Sequence, residues 1–258
     1  MHAFTPSADG QAIADAAARA VAGHPDRLVV AGGDGSIAPV AAQAARVGLP
    51  LAVVPIGTAN DFARALDLPR ELRAACALAA TGSRKRSIDL LRAGDRPFLN
   101  AASVGLSVMA ARRARPLKPV LGPLAYALGA VRAAVSATPV CCRVTADDEE
   151  LFEGEAWQII VAGTGAFGGG SELDVADPSD RLLDVAVLGA GQRATLLRRA
   201  WGMRNGGLTH QRGVRHARAA VVELELASPM PFNVDGEICS LAPARFCSRG
   251  ERVEVVCP

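Results

Sequence analysis

Apolar positions recur at helical spacing over residues 9–22, behind Asp9 as a capping residue, and give way at 28–31 to a short β-rich run ending in glycines. Residues 37–47 repeat the helical spacing, 51–54 form a second continuous apolar run, PIGTAND makes a loop, and a further helix starts at Asp61. Helices alternating with short buried strands predict half of a doubly wound α/β domain, whose parallel sheet holds ligands in the loops at the C-terminal strand ends. From about Pro97 the texture changes. VCCRVT, EAWQIIVAG, LLDVAVLG, AAVVELELA and ARFCSRGERVEVVC read as strands separated by Gly, Asp and Pro turns. Val222, Leu224 and Leu226 alternate with Glu223 and Glu225, as in a half-exposed strand. A second, mostly antiparallel domain is expected, joined tightly to the first near residues 90–97, with no internal repeat or low-complexity linker.

A chain of 258 residues that is 50% hydrophobic and 21% charged buries a real core and is not intrinsically disordered. Its formal charge of +2 conceals a segregation. Residues 96–146 and 185–222 contain no acid and carry half of the 28 Lys and Arg, so the rest of the chain is strongly acidic. Segregated positive charge calls for an anionic partner. The six cysteines form no CxxC pair, and the N-terminus has neither a basic nor an apolar leader region, so reduced thiols in a cytoplasmic protein are expected. Residues 119–140 are apolar enough to suggest a membrane span. Arg132 interrupts them and Pro119, Gly122, Pro123, Gly129 and Pro139 punctuate them, which favours a packed helix.

Two loops carry candidate chemistry. The strand RLVVA runs into Gly32, Gly33, Asp34, Gly35 and Ser36 and then a helix, which gathers backbone N–H groups at a helix N-terminus as a phosphate site does. A tight glycine turn after a strand would have the same composition. The second strand delivers Thr58, Asn60 and Asp61 to a neighbouring strand end, as nucleotide contacts or as a simple helix cap. The two loops are expected to face each other.

Gly-Gly-Asp-Gly-Ser resembles the GGDGT signature of the diacylglycerol kinase and NAD kinase superfamily, and PIGTANDFAR resembles the second signature of its lipid-kinase branch. The likeness continues through Ser87-Ile88-Asp89, the run from Asn100 to Gly105, KPVLGPLAY, Phe167 to Gly170, Asp180 to Val185 and Asn233-Val234-Asp235-Gly236-Glu237. It implies an α/β ATP-binding domain over residues 1–92, incomplete at its N-terminus, and a β-sandwich lipid-substrate domain over 93–258, with the active site in the cleft between them. By this resemblance Gly32, Gly33, Asp34, Gly35 and Ser36 cradle the ATP phosphates, and Thr58, Asn60, Asp61 and Thr5 belong to the nucleotide site. Glu237 is the general base, in a catalytic pair with Asp235. Read without the family, Asp235-Gly236 is a hairpin turn with Glu237 a solvated residue beside it. Asp34, Asp61, Asp89 and Asp235 line a Mg2+ site, and Asp177, Asp180 and the Leu182 carbonyl match a second metal site, or else form a DPSD turn.

The chain departs from the family pattern in three places. It begins at about the family's second strand, so a first strand and a loop that helps seat the nucleotide are missing. Ser36 replaces Thr, and the segment Ile37-Ala38-Pro39-Val40 lacks an acidic residue and puts Pro39 in the expected first helical turn. The implied activity is transfer of the γ-phosphate of ATP to a hydroxyl of diacylglycerol or a related lipid. A weakly active or inactive nucleotide- or lipid-binding relative, or a kinase of a soluble acceptor such as NAD, fits the same residues. The partners expected are a lipid substrate, an anionic membrane surface reached peripherally from the cytoplasmic side, and a second copy in a homodimer. The arginine-rich segment 192–203 is either a helix lying on anionic headgroups or one packed on the second domain. No nucleic acid is expected, because no recognition motif accompanies the charge.

Overall fold

The computed structural model describes residues 10–106, 108–109, 138–167, 171–173, 176–192, 196 and 207–258. Thr5, KPVLGPLAY, Gly168 to Gly170 and most of segment 192–203 lie outside them. The first part runs α1 (Gly10–Val21), β1 (Leu28–Gly32), α2 (Asp34–Val47), β2 (Leu51–Pro55), α3 (Asp61–Ala65), α4 (Leu72–Thr81) and β3 (Lys85–Asp89). β1 and β2 pair in parallel, Leu28 opposite Leu51 through Gly32 opposite Pro55. Every residue of β2 is buried, whereas β1 alternates and leaves Val29 half exposed, because β1 is the outermost strand of its sheet. Ile13 and Ala17 of α1 and Ile37, Ala38, Ala41 and Ala44 of α2 pack with Val30 and Val53 into one core.

α2 begins three residues earlier than its apolar spacing suggests, at Asp34. Pro39 therefore lies in the second turn. Having no N–H, it leaves the Gly35 carbonyl without its usual intrahelical donor, which loosens the helix at the glycine loop. The far end is closed conventionally: Gly48 at φ 69° and Leu49 return their N–H groups to the Ala45 and Ala44 carbonyls.

The second part comprises β4 (Leu91–Ala93), β5 (Arg96–Phe98), β6 (Ala101–Gly105), β7 (Val140–Ala146), β8 (Glu149–Ala162), β9 (Ala166–Phe167), β10 (Ser171–Glu172), β11 (Leu183–Gly189), β12 (Val214–Ala219), β13 (Val221–Leu226), β14 (Pro231–Val234), β15 (Glu237–Ser240) and β16 (Ala244–Cys247). The antiparallel sheet runs β15-β14-β6-β8-β7-β13-β16-β4-β5, with β11 and β12 branching from β8. It curls around a core that includes Leu91, Phe98, Ile159, Val185, Phe232 and Phe246. Phe246 meets Phe98 edge-on at 6.2 Å and Phe232 at 6.0 Å, so the two ends of the strand order share one core.

The last strand, β17 (Arg252–Val256), reads in sequence as a continuation of the second domain but enters the first sheet between β2 and β3. It is parallel to β2 and antiparallel to β3, which makes that sheet mixed rather than wholly parallel. Val253 and Val255 join the core under α2, and Val256 joins the small cluster under α4. An alternating run of valines fits any half-buried slot, so its destination is decided by the space left between β2 and β3.

Candidate active site

The two glycine-containing loops touch. A Cβ added to Gly57 would lie 2.5 Å from the Gly33 Cα and 2.8 Å from the Asn60 Oδ1, so the crossing requires glycine at position 57. Ile56 donates its N–H to the Gly32 carbonyl at 3.2 Å. Asn60, at φ 51°, accepts from the Gly57 N–H at 2.9 Å and donates to the Gly57 carbonyl at 3.0 Å, so its side chain closes the loop on itself. Gly57→Ala is expected to lower stability by about 1–3 kcal/mol in urea unfolding, through backbone overlap rather than lost contacts. An unchanged midpoint would show that the loops can part without cost.

Asp34 stands in the first turn of α2, whose N-cap, Gly33, supplies no side-chain cap. Its Oδ1 accepts from the Phe62 N–H at 2.9 Å and from the Asn100 Nδ2 at 3.1 Å. Asn100 in turn accepts from the Thr164 hydroxyl at 2.9 Å, so a buried amide ties the glycine loop to the second sheet. Ser36 folds back over Gly32, and Thr58 is exposed at the tip of the second loop. Asp61 is buried and paired with Arg64 at 2.7 Å.

Asp235 and Gly236 have φ of 46° and 88°, the two left-handed positions of a tight hairpin that pairs Val234 with Glu237. The Asp235 carboxylate is buried and accepts the N–H groups of Leu99 at 2.8 Å, Asn100 at 2.9 Å and Ala101 at 3.1 Å. Burial pushes its carboxyl up to about 7, with the nearby Asp34 adding to the shift and the three N–H groups opposing it. Asp235 thus holds the turn in place. Glu237 follows it into the open: a Cβ on Gly35 would lie 3.0 Å from its Oε1, and its other oxygen is paired with Arg96. The carboxylate therefore rests against the first turn of α2. A cleft of about 990 Å³ opens from this point between α1, α2 and the β4–β5 and β14–β15 hairpins.

The remaining acids are spent elsewhere. Asp89 is buried, accepts from the Arg181 N–H at 2.6 Å and pairs with the Arg252 Nε at 2.9 Å. Asp177 accepts from the Ser179 N–H and Asp180 from the Leu182 N–H, each at 2.9 Å, while Arg86 and Arg218 pair with them. Residues 177–180 form the DPSD turn, and arginines pair with both of its carboxylates. Among the described residues no group of three or more His, Cys, Asp and Glu side chains is placed to hold a metal, so the expected acidic lining of four is not gathered. Asp34 and Asp235 approach each other, and Asp89 faces the 177–182 turn.

Arg96 and Thr164 escaped sequence reasoning, and Asn100 carried no role there. Arg96 is one of seven cations in an acid-free stretch, and nothing local marks its distant partner. Other members of the basic blocks are likewise paired: Arg143 meets Glu150, Glu153 and Glu225, and Arg218 meets Asp180 and Asp184.

Residues 2–93 match the diacylglycerol kinase catalytic domain, and residues 100–257 match the YegS C-terminal NAD kinase beta sandwich-like domain. The diacylglycerol kinase of Bacillus subtilis is 31% identical over 238 residues, covering 90% of this chain and 78% of that protein. A probable lipid kinase YegS-like of Pseudomonas syringae pv. tomato is 32% identical over 241 residues, covering 92% and 77%. The fold matches that of a putative diacylglycerol kinase from Bacillus anthracis with a TM-score of 0.76 at 21% identity, over all of this chain and 85% of that one. With both halves of the chain matched in order and the loops, hairpin and cleft described above in place, the chain belongs to the diacylglycerol kinase family of phosphotransferases.

Proposed function

We propose that the protein transfers the γ-phosphoryl group of ATP to a hydroxyl of diacylglycerol or a related lipid. One observation carries the reading: the Glu237 carboxylate is open to the cleft and leans on the helix turn where the phosphates would bind. Glu237 accepts the hydroxyl proton as the lipid oxygen bonds to the γ-phosphorus and the bond to the departing ADP oxygen breaks. The N-terminal turn of α2 and the glycine loop orient the phosphates through backbone N–H groups. Asp235 and Asn100 hold the base and the loop in register. Asp34 is the carboxylate placed to hold Mg2+ together with the phosphates, since Mg2+ in such sites takes one or two carboxylates rather than a protein cage. The ion supplies charge neutralisation to the transferring group.

The cleft between α2 and the β15 edge admits the acceptor. The lipid would be met peripherally at a membrane surface; no helix among the described residues is long and apolar enough to cross a membrane. Protein incubated with Mg2+, γ-labelled ATP and vesicles of anionic phospholipid with diacylglycerol is expected to yield an organic-soluble labelled product. Label that stays wholly in the aqueous phase, as free phosphate or on a soluble acceptor, would overturn the lipid assignment.

A further inference from the structure

The order of the large sheet starts at β15 and ends at β5, and these two edge strands meet across a seam at a side-chain ion pair. No backbone ladder between them is found among the described residues. What bridges the seam is side-chain chemistry: Arg96 of β5 pairs with Glu237 of β15. Directly beyond β5, the Asp235 carboxylate holds the N–H groups of residues 99–101. The turn that presents Glu237 is therefore anchored to one short segment, residues 96–101, by two separate devices. One is buried and fixes the backbone. The other is about one-third exposed and fixes the carboxylate.

The second device is the informative one. An ion pair this open to solvent adds little to stability. A glutamate side chain has several freely rotating bonds, and contact with the Gly35 turn does not by itself fix its rotamer. A planar guanidinium with directed N–H groups restrains a carboxylate more closely than a point charge does. The neighbouring cation on the same hairpin is engaged otherwise: Arg92 pairs with Glu251 and donates to the Asp95 carbonyl.

We propose that Arg96 is a positioning residue, which reaches across the seam and holds the Glu237 carboxylate against the first turn of α2, where the hydroxyl and the γ-phosphate meet. The proposal rests on the reading of Glu237 given above. In Arg96→Met, kcat is expected to fall about 10²-fold while KM for ATP and lipid moves by less than about threefold, since a misplaced base costs turnover rather than ground-state binding. Added guanidinium ion, or the variant Arg96→Lys, should recover part of that loss. Turnover of Arg96→Met equal to wild type, a loss carried wholly in KM, or a loss that neither guanidinium nor lysine relieves in a folded variant would overturn it. Should Arg96→Met not fold, Arg96→Lys alone decides by the same kcat and KM split. A readout without turnover separates this proposal from the function itself: the Glu237 side-chain NMR resonances should shift toward those of a freely rotating carboxylate in the variant, with the backbone resonances of the rest of the sheet unchanged. Unaltered Glu237 side-chain resonances count against Arg96, whereas a wild-type chain that labels no lipid counts against the proposed function.

Discussion

Glu237→Gln is expected to lower kcat for phosphoryl transfer by about 10²–10⁴-fold and to leave ATP binding within a few-fold of wild type. The amide retains the shape of the carboxylate and can still accept from Arg96, but it cannot take up the proton of the attacking hydroxyl. Its fold should be intact, because Glu237 is about one-third exposed and lies at a sheet edge. Titration calorimetry with a nucleotide analogue, alongside the labelled-lipid assay, separates the two quantities. Turnover within about fivefold of wild type would place the base elsewhere, with Asp34 as the nearest carboxylate on the glycine loop.

Asp235→Ala is expected to be the most damaging change to stability, at least about 3 kcal/mol in urea unfolding, since three backbone N–H groups lose one shared buried acceptor and each orphan costs about 1–3 kcal/mol. Asp235→Asn should cost less, because one oxygen can still serve Asn100 and Ala101. The pH dependence distinguishes the carboxyl from the amide. Its folded value of about 7 lies above the ordinary 3.8, so between those values the folded protein retains a proton that the unfolded chain has released. The stability contributed by this group is then full at the acid end and declines as pH rises through the window. The gap between wild type and Asp235→Asn should therefore be wider at pH 5 than at pH 8. A gap that widens with pH would mean that the three N–H groups outweigh burial and that Asp235 is anionic throughout.

Both expectations depend on a hairpin whose dual character was legible only in part. Read alone, Asp-Gly-Glu is a turn with a solvated acid beside it, and that description is geometrically right: Asp235 and Gly236 take the left-handed turn conformation. What local reading lacks is the company. Asp235 turns inward because residues 99–101, more than 130 positions away, present three N–H groups to it. Glu237 gains its interest from Gly35 and Arg96, which are also far away in sequence. The two glycine loops were easier to read, because each follows a buried strand and a parallel sheet brings such strand ends side by side. The acidic residues were harder. Asp89 and Asp180 carry the charge a metal site needs, and the fold also brings Arg252, Arg218 and backbone N–H groups to them, which no local reading shows.

The sequence by itself determined the α/β alternation of the first 90 residues, the strand-rich character of the remainder, the two glycine loops and the Asp-Gly-Glu turn. These follow from periodicity and turn chemistry, which act over a few residues and are written where they act. Tertiary structure alone decided that β17 completes the first sheet, that the large sheet closes on a seam bridged by Arg96 and Glu237, and which carboxylates face the cleft. Each of these pairs segments far apart in the chain, and neither a valine run nor a lone arginine carries the identity of its distant partner. Only the shape left by the rest of the fold selects it.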